Sequence, residues 1–216
     1  MRKGLTELVF IIDRSGSMHG LEADTIGGFN SMLDKQRREG GEALISVVLF
    51  SDGCEVVRDR ADISAVKDMT SADYCAGGCT ALLDAIGGAI HHIGNVHKYA
   101  RNEDVPERTV FVIITDGMEN ASRFYDIDKV RAMIERQKNK YGWEFFFLGA
   151  DLRAIETARR CGIGADRTAF YRSDARGTRF NYEVMSDTVS CLRRGGNVKK
   201  EWKGRIEGDA ANKRRK

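Results

Sequence analysis

Leu8-Val9-Phe10-Ile11-Ile12-Asp13-Arg14-Ser15-Gly16-Ser17 is the stretch that decides the fold of this chain. Its first five residues are wholly apolar and rich in branched side chains, the pattern of a strand buried on both faces. A carboxylate and two hydroxyls follow at alternate positions where that strand ends. Short oxygen-bearing side chains of this kind suit a hard divalent cation, and Gly16 relieves crowding among them. A D-x-S-x-S run also serves as a helix-capping turn, and the run alone leaves both roles open.

Outward from this strand, residues 21–38 carry apolar side chains at helical spacing (Leu21, Ile26, Phe29, Met32, Leu33), with Gly40-Gly41 as the stop. Ala43–Phe50 reads as a second strand and Cys54–Arg58 as a third. The Asp52-Gly53 turn between them predicts that strand three runs antiparallel to strand two. Residues 80–98 form a second amphipathic helix, Thr109–Thr115 another fully apolar strand, and 126–140 a third helix. Trp143–Leu148, 151–160, Arg167–Tyr171 and 174–193 follow as strand, helix, short strand and helix. This alternation predicts an α/β fold: three layers, doubly wound and Rossmann-like, around a mostly parallel sheet of about six strands. The expected strand order is 3-2-1-4-5-6, with strand three antiparallel at the edge.

The 216 residues are 42% hydrophobic and 31% charged, the balance of a globular chain with a sizeable core. No apolar run approaches the length that spans a bilayer, so no membrane role is expected. Glu7 and Asp13 interrupt any signal-peptide core after Met1-Arg2-Lys3, so export is not expected either. Five scattered cysteines (Cys54, Cys75, Cys79, Cys161, Cys191) fit a reducing interior and a cytoplasmic location. Cys75 and Cys79 lack a second Cys or His pair at zinc spacing. His91, His92 and His97 contain no i,i+4 pair, so no zinc centre is expected. The net charge is +3, but from residue 197 onward eight Lys/Arg face three acids, leaving −2 on the preceding 196 residues. Residues 1–195 therefore read as the folded domain and 196–216 as a basic, mobile tail ending in Lys213-Arg214-Arg215-Lys216. The tail is the one feature favouring nucleic acid, since the body shows no aromatic-rich basic strand or groove motif.

Two further segments share the chemistry of the first loop. Gly77-Gly78-Cys79-Thr80 opens the second long helix, and Thr115-Asp116-Gly117 closes the strand 109–115. In a doubly wound sheet, ligands gather beyond the carboxyl ends of the strands, where strand order reverses. In the order 3-2-1-4-5-6 that place lies between strand 1, ending at Asp13, and strand 4, ending near Asp116. Asp13, Ser15, Ser17, Thr80 and Asp116 then share one crevice. Asp52 reads as a turn residue, and Glu119, Asn120 and His19 as ordinary loop residues.

Asp13-x-Ser15-x-Ser17, Thr80 and Thr115-Asp116-Gly117 together resemble the metal-ion-dependent adhesion site of von Willebrand factor A domains. The resemblance covers about residues 5–195. Gly77–Ile86 and Phe147–Asp151 look like a bacterial or phage-type intracellular branch of that family. The resemblance implies that Ser15, Ser17 and Thr80 contact Mg²⁺, with Mn²⁺ or Ca²⁺ as substitutes, and that Asp13 and Asp116 join directly or through water. It also implies a module that binds an Asp or Glu carboxylate of a partner protein, and in prokaryotes work beside an AAA-type ATPase or in a stress- or phage-linked operon, between which these residues do not select. Such a module is not itself an enzyme. The alternative is a Mg²⁺-dependent hydrolase or phosphatase using the same residues. Against it, Ser15 stands where a haloacid-dehalogenase-like phosphatase has its second Asp. A G-x-x-x-x-G-K-[ST] phosphate loop and a G-x-S-x-G elbow are both absent from the sequence.

Overall fold

Strand β1 (Arg2–Asp13) runs through the middle of a six-stranded sheet in the computed structural model, which describes residues 1–199 and 201–212. Leu8 through Ile12 are entirely shielded from solvent, each such side chain contributing about 1.5–3 kcal/mol of burial. Alternation along the strand divides them between two cores. Leu8, Phe10 and Ile12 face one layer of helices, and Val9 and Ile11 face the other.

The remaining elements follow in the expected alternation. They are α1 (Glu22–Arg38), β2 (Ala43–Phe50), β3 (Cys54–Asp62), α2 (Leu82–Tyr99), β4 (Pro106–Thr115) and α3 (Ile127–Tyr141). Then come β5 (Glu144–Gly149), α4 (Leu152–Arg160), β6 (Thr168–Phe170), α5 (Ala175–Arg193) and α6 (Glu201–Asn212). The sheet order is β3-β2-β1-β4-β5-β6, parallel throughout except for β3, which pairs antiparallel with β2. This is the predicted Rossmann-like architecture. Side chains of α1, α5 and α6 cover one face of the sheet, and those of α2, α3 and α4 cover the other.

β1 begins six residues before its apolar run. Glu7 stays within the strand because its buried carboxylate meets Arg60 Nε at 2.6 Å and His97 Nε2 at 2.5 Å. Arg60 reaches it from an irregularity in the β2–β3 pairing, where its backbone N–H donates to Ser46 Oγ at 3.0 Å. His97 comes from the last turn of α2. Glu7 is thus a buried, paired charge inside the strand.

The carboxyl-terminal segment also differs from expectation. Residues 201–212 are not a solvated tail but helix α6, whose Trp202 and Ile206 are buried, one helical turn apart. The Trp202 ring meets Phe146 edge-on at 5.3 Å, and its indole N–H donates to Asp166 O at 3.1 Å. Part of the basic charge is consumed in the docking, as Arg205 pairs with Asp187 at 2.6 Å and Glu183 at 3.3 Å. Lys213–Lys216, where the sequence places its basic terminus, lie outside the described residues. Among the described residues no helix is long and apolar enough to cross a membrane.

The contact between α1 and α5 sets how closely these helices approach. A Cβ on Gly28 would sit 2.5 Å from Tyr182 Cδ2, whereas one on neighbouring Gly27 would meet nothing within 4 Å. Ala at position 27 should therefore stabilise by up to about 1 kcal/mol through helix propensity. Ala at position 28 should destabilise by about 1–3 kcal/mol through overpacking. Urea denaturation of the two variants measures this, and equal effects would contradict the packing described.

Candidate metal centre

Asp13 closes β1 opposite Phe50 of β2, and the chain then leaves the sheet through a single 3₁₀ turn, Gly16–Met18. Ser15 occupies the capping position of that turn, yet its hydroxyl caps nothing. The hydroxyl instead lies 3.1 Å from Ser17 Oγ, and Ser15 N–H donates to Asp13 Oδ1 at 2.7 Å. Of the two roles open in the sequence, capping is not the one these hydroxyls play.

The second segment is zipped to the first by its backbone. Gly16 N–H donates to Gly78 O at 2.9 Å, and Gly77 N–H donates to Arg14 O at 2.8 Å. Thr80 does not open α2 as expected, because Ala81 holds the capping position and the helix starts at Leu82. Thr80 is buried, and its backbone is gripped from the third segment. Its N–H donates to Asn120 Oδ1 at 2.8 Å and its carbonyl accepts from Asn120 N–H at 3.0 Å. Asp52 fixes the same segment by accepting Cys79 N–H at 2.9 Å, a bond that holds its carboxyl below the usual carboxylate range.

The third segment follows β4, the parallel neighbour of β1 on the side away from β2. Thr115 Oγ1 donates to Asp13 Oδ2 and Ser17 Oγ donates to Asp116 Oδ1, each at 2.5 Å. Ser15, Ser17 and Asp116 are thus linked side chain to side chain, and Asp13 joins them through the Ser15 N–H. A Cβ on Gly117 would lie 2.9 Å from Thr80 Oγ1, 3.2 Å from Ser17 Oγ and 3.6 Å from Asp13 Oδ2. Three oxygens from the first two segments therefore face one small volume that a glycine of the third leaves open. The structure gathers all five of the residues singled out by sequence at this place.

Electrostatics add to the geometry. Asp13 is fully buried and, among the described residues, neither Asp13 nor Asp116 forms an ion pair. Arg14, next in sequence, is drawn away to Glu55 at 2.8 Å. Burial pushes the Asp13 carboxyl above the usual carboxylate range. Hydrogen bonds from Thr115 and Ser15 offset part of this, and the neighbouring Asp116 charge adds to it. An unpaired buried carboxylate is costly unless a cation joins it. The donors are two carboxylates and three hydroxyls, all hard oxygens, which fit Mg²⁺, Mn²⁺ or Ca²⁺. No three of His, Cys, Asp and Glu come together as a metal site among the described residues. A cation here depends on the hydroxyls.

Sequence reasoning missed the residues that brace this centre. Asn120 and Glu119 are structural: Glu119 accepts the N–H groups of Leu83 at 2.9 Å, Ala121 at 3.0 Å and Ser122 at 2.8 Å. Tyr74 OH donates to Asp13 O at 2.5 Å, and Ser173 Oγ bonds Asp116 Oδ2 at 3.1 Å. A polar pair just after Asp116 was the available signal for Glu119 and Asn120. Nothing local in sequence marks Tyr74 or Ser173.

The chain is similar in structure to the PilB minor pilin from Streptococcus sanguinis (TM-score 0.61, 12% identity, 86% of this chain and 61% of that one). It is similar to proximal thread matrix protein 1 from the mussel byssus, a structure described as having a zinc-occupied MIDAS motif (TM-score 0.57, 14% identity, 86% and 46%). It is also similar to a von Willebrand factor type A protein from Catenulispora acidiphila (TM-score 0.54, 15% identity, 86% and 42%). The chain spans less than two thirds of each of these. No family model matches the sequence, and no curated protein does. The likenesses show the fold, which is that of von Willebrand factor A domains.

The buried charge has a measurable consequence. A carboxyl whose folded pKa is raised favours the fold when protonated, and that contribution is lost as pH rises through the folded pKa. In chelator at pH 7, Asp13→Asn should therefore melt above wild type, by about 2–4 °C per kcal/mol of relieved desolvation. The gap should narrow as pH falls through the folded pKa of Asp13. A variant that melts below wild type at both ends of the range would contradict this electrostatic account.

Proposed function

We propose that this chain is a protein-interaction module in which Asp13, Ser15, Ser17, Thr80 and Asp116 hold Mg²⁺, with Mn²⁺ able to substitute. The observation that carries this reading is the convergence of Thr80 Oγ1, Ser17 Oγ and Asp13 Oδ2 on the space beside Gly117, around a carboxylate that pairs with no cation among the described residues. A bound ion supplies an electrophilic position that a partner's Asp or Glu carboxylate completes. Three of the five donors are neutral hydroxyls, which leave most of the ion's charge uncompensated and so favour an anionic partner group.

The residues of the chain do the positioning. Asn120 clamps the backbone of Thr80, the paired backbones of Gly16 and Gly78 lock the first two segments, and Glu55 keeps Arg14 turned aside. Binding rather than turnover is favoured by the placement of His19, an exposed ring facing Glu22 at 3.2 Å rather than either serine. Among the described residues, no histidine hydrogen-bonds Ser15 or Ser17 as a base would.

Calorimetric titration with Mg²⁺ and Mn²⁺ checks the metal, with wild type binding saturably and Asp13→Ala and Thr80→Ala at least about tenfold more weakly. Unchanged binding in Asp13→Ala would place the ion elsewhere. Capture of proteins from native lysate checks adhesion: it should be abolished by EDTA or Thr80→Ala and restored to wild type by Mg²⁺. Capture indifferent to both treatments would overturn the metal-bridged reading. Steady phosphatase turnover that disappears in Asp13→Asn would favour a hydrolase in its place.

A further inference from the structure

We propose that Ser173, on the loop between β6 and α5, is a positioning residue of the metal centre that holds the second carboxylate oxygen of Asp116. This rests on the centre described above and extends it from three chain segments to four. Asp116 is clasped on both oxygens: Ser17 Oγ donates to Oδ1 at 2.5 Å, and Ser173 Oγ bonds Oδ2 at 3.1 Å. Ionised carboxylate oxygens only accept, so Ser173 is the donor in this contact. A carboxylate has lone pairs to spare beyond these two bonds. Holding Oδ2 therefore fixes the plane of the group while Oδ1 stays turned toward Ser17.

Ser173 is placed by its neighbours. Tyr171 before it is buried and continues the β6 ladder, its N–H donating to Gly149 O at 3.0 Å. Asp174 after it caps α5, accepting Gly177 N–H at 2.9 Å, and its own N–H donates to Arg172 O at 2.9 Å. The Arg172 guanidinium pairs with Asp174 at 2.5 Å. The first turn of α5 presses on this loop, since a Cβ on Gly177 would stand 2.1 Å from Arg172 O. The serine between these anchored residues is itself exposed, with water available to its hydroxyl. Burial does not force it onto Asp116; the fold of the loop brings it there. Donors that orient a ligand carboxylate are commonly worth a factor of about ten or more in metal affinity.

Mn²⁺ titration, followed by calorimetry and by the electron paramagnetic resonance signal of free Mn²⁺, tests this on the full chain. The set comprises wild type, Ser173→Ala, Ser173→Thr and Asp13→Ala. Ser173→Ala should bind Mn²⁺ about tenfold more weakly than wild type. Ser173→Thr, which keeps the hydroxyl, should recover most of that loss. In chelator, both Ser173 variants should melt within about 1–2 °C of wild type, because an exposed serine contributes little to stability. Wild-type affinity in Ser173→Ala beside weakened binding in Asp13→Ala would overturn the role of Ser173 alone. Equal weakening in Ser173→Ala and Ser173→Thr would also overturn it, since the hydroxyl would not be the cause. Wild-type affinity in Asp13→Ala would overturn the centre itself, and the role of Ser173 with it.

Discussion

The carboxylate of Asp13 stands at the end of the central strand, fully buried and unpaired with any cation among the described residues. Most of the structure around it serves to tolerate that charge. Ser15 N–H and Thr115 Oγ1 take one oxygen each, and Tyr74 takes the residue's carbonyl. These bonds offset desolvation only in part, because burial still holds the carboxyl above the usual range. A fold that keeps such a group sacrifices stability at one point, a pattern common where a site needs charge held ready.

The sheet explains why the charge can be held so firmly. β1 lies between β2 and β4, all parallel, and the connections from β1 and β4 leave toward opposite faces of the sheet. Their loops are neighbours at the carboxyl end, where strand order reverses. Each loop is then braced by groups far away in sequence: Thr80 by Asn120, Leu83 by Glu119, Cys79 by Asp52. The oxygens facing Gly117 thus belong to separately anchored segments, and their spacing does not depend on the freedom of any one loop.

Much of this was legible in the sequence, for identifiable reasons. Ala43–Phe50 matches the predicted second strand residue for residue, because Gly41 and Ser51-Asp52-Gly53 punctuate a clean apolar run. The five candidate ligands stand out because they follow apolar strands at places the topology brings together. The early start of β1 was hidden, since Glu7 looks like an interruption until Arg60 and His97 arrive from β3 and α2. Helix α6 was hidden because, among the described residues, its buried apolar side chains are just Trp202 and Ile206 in a charged segment, and burial was decided by the partners Phe146 and Asp166. Tyr74 and Ser173 reach the centre across 61 and 57 residues respectively, separations at which no local pattern speaks.

A crystal of the chain grown with Mn²⁺ and measured for anomalous scattering tests the central claim most directly. The account predicts a single strong peak within bonding distance of Ser15, Ser17 and Thr80 oxygens, beside Gly117, with Asp13 and Asp116 turned toward it. An Mn²⁺ peak bound elsewhere on the protein, with the oxygens of these five residues left without one, would contradict it.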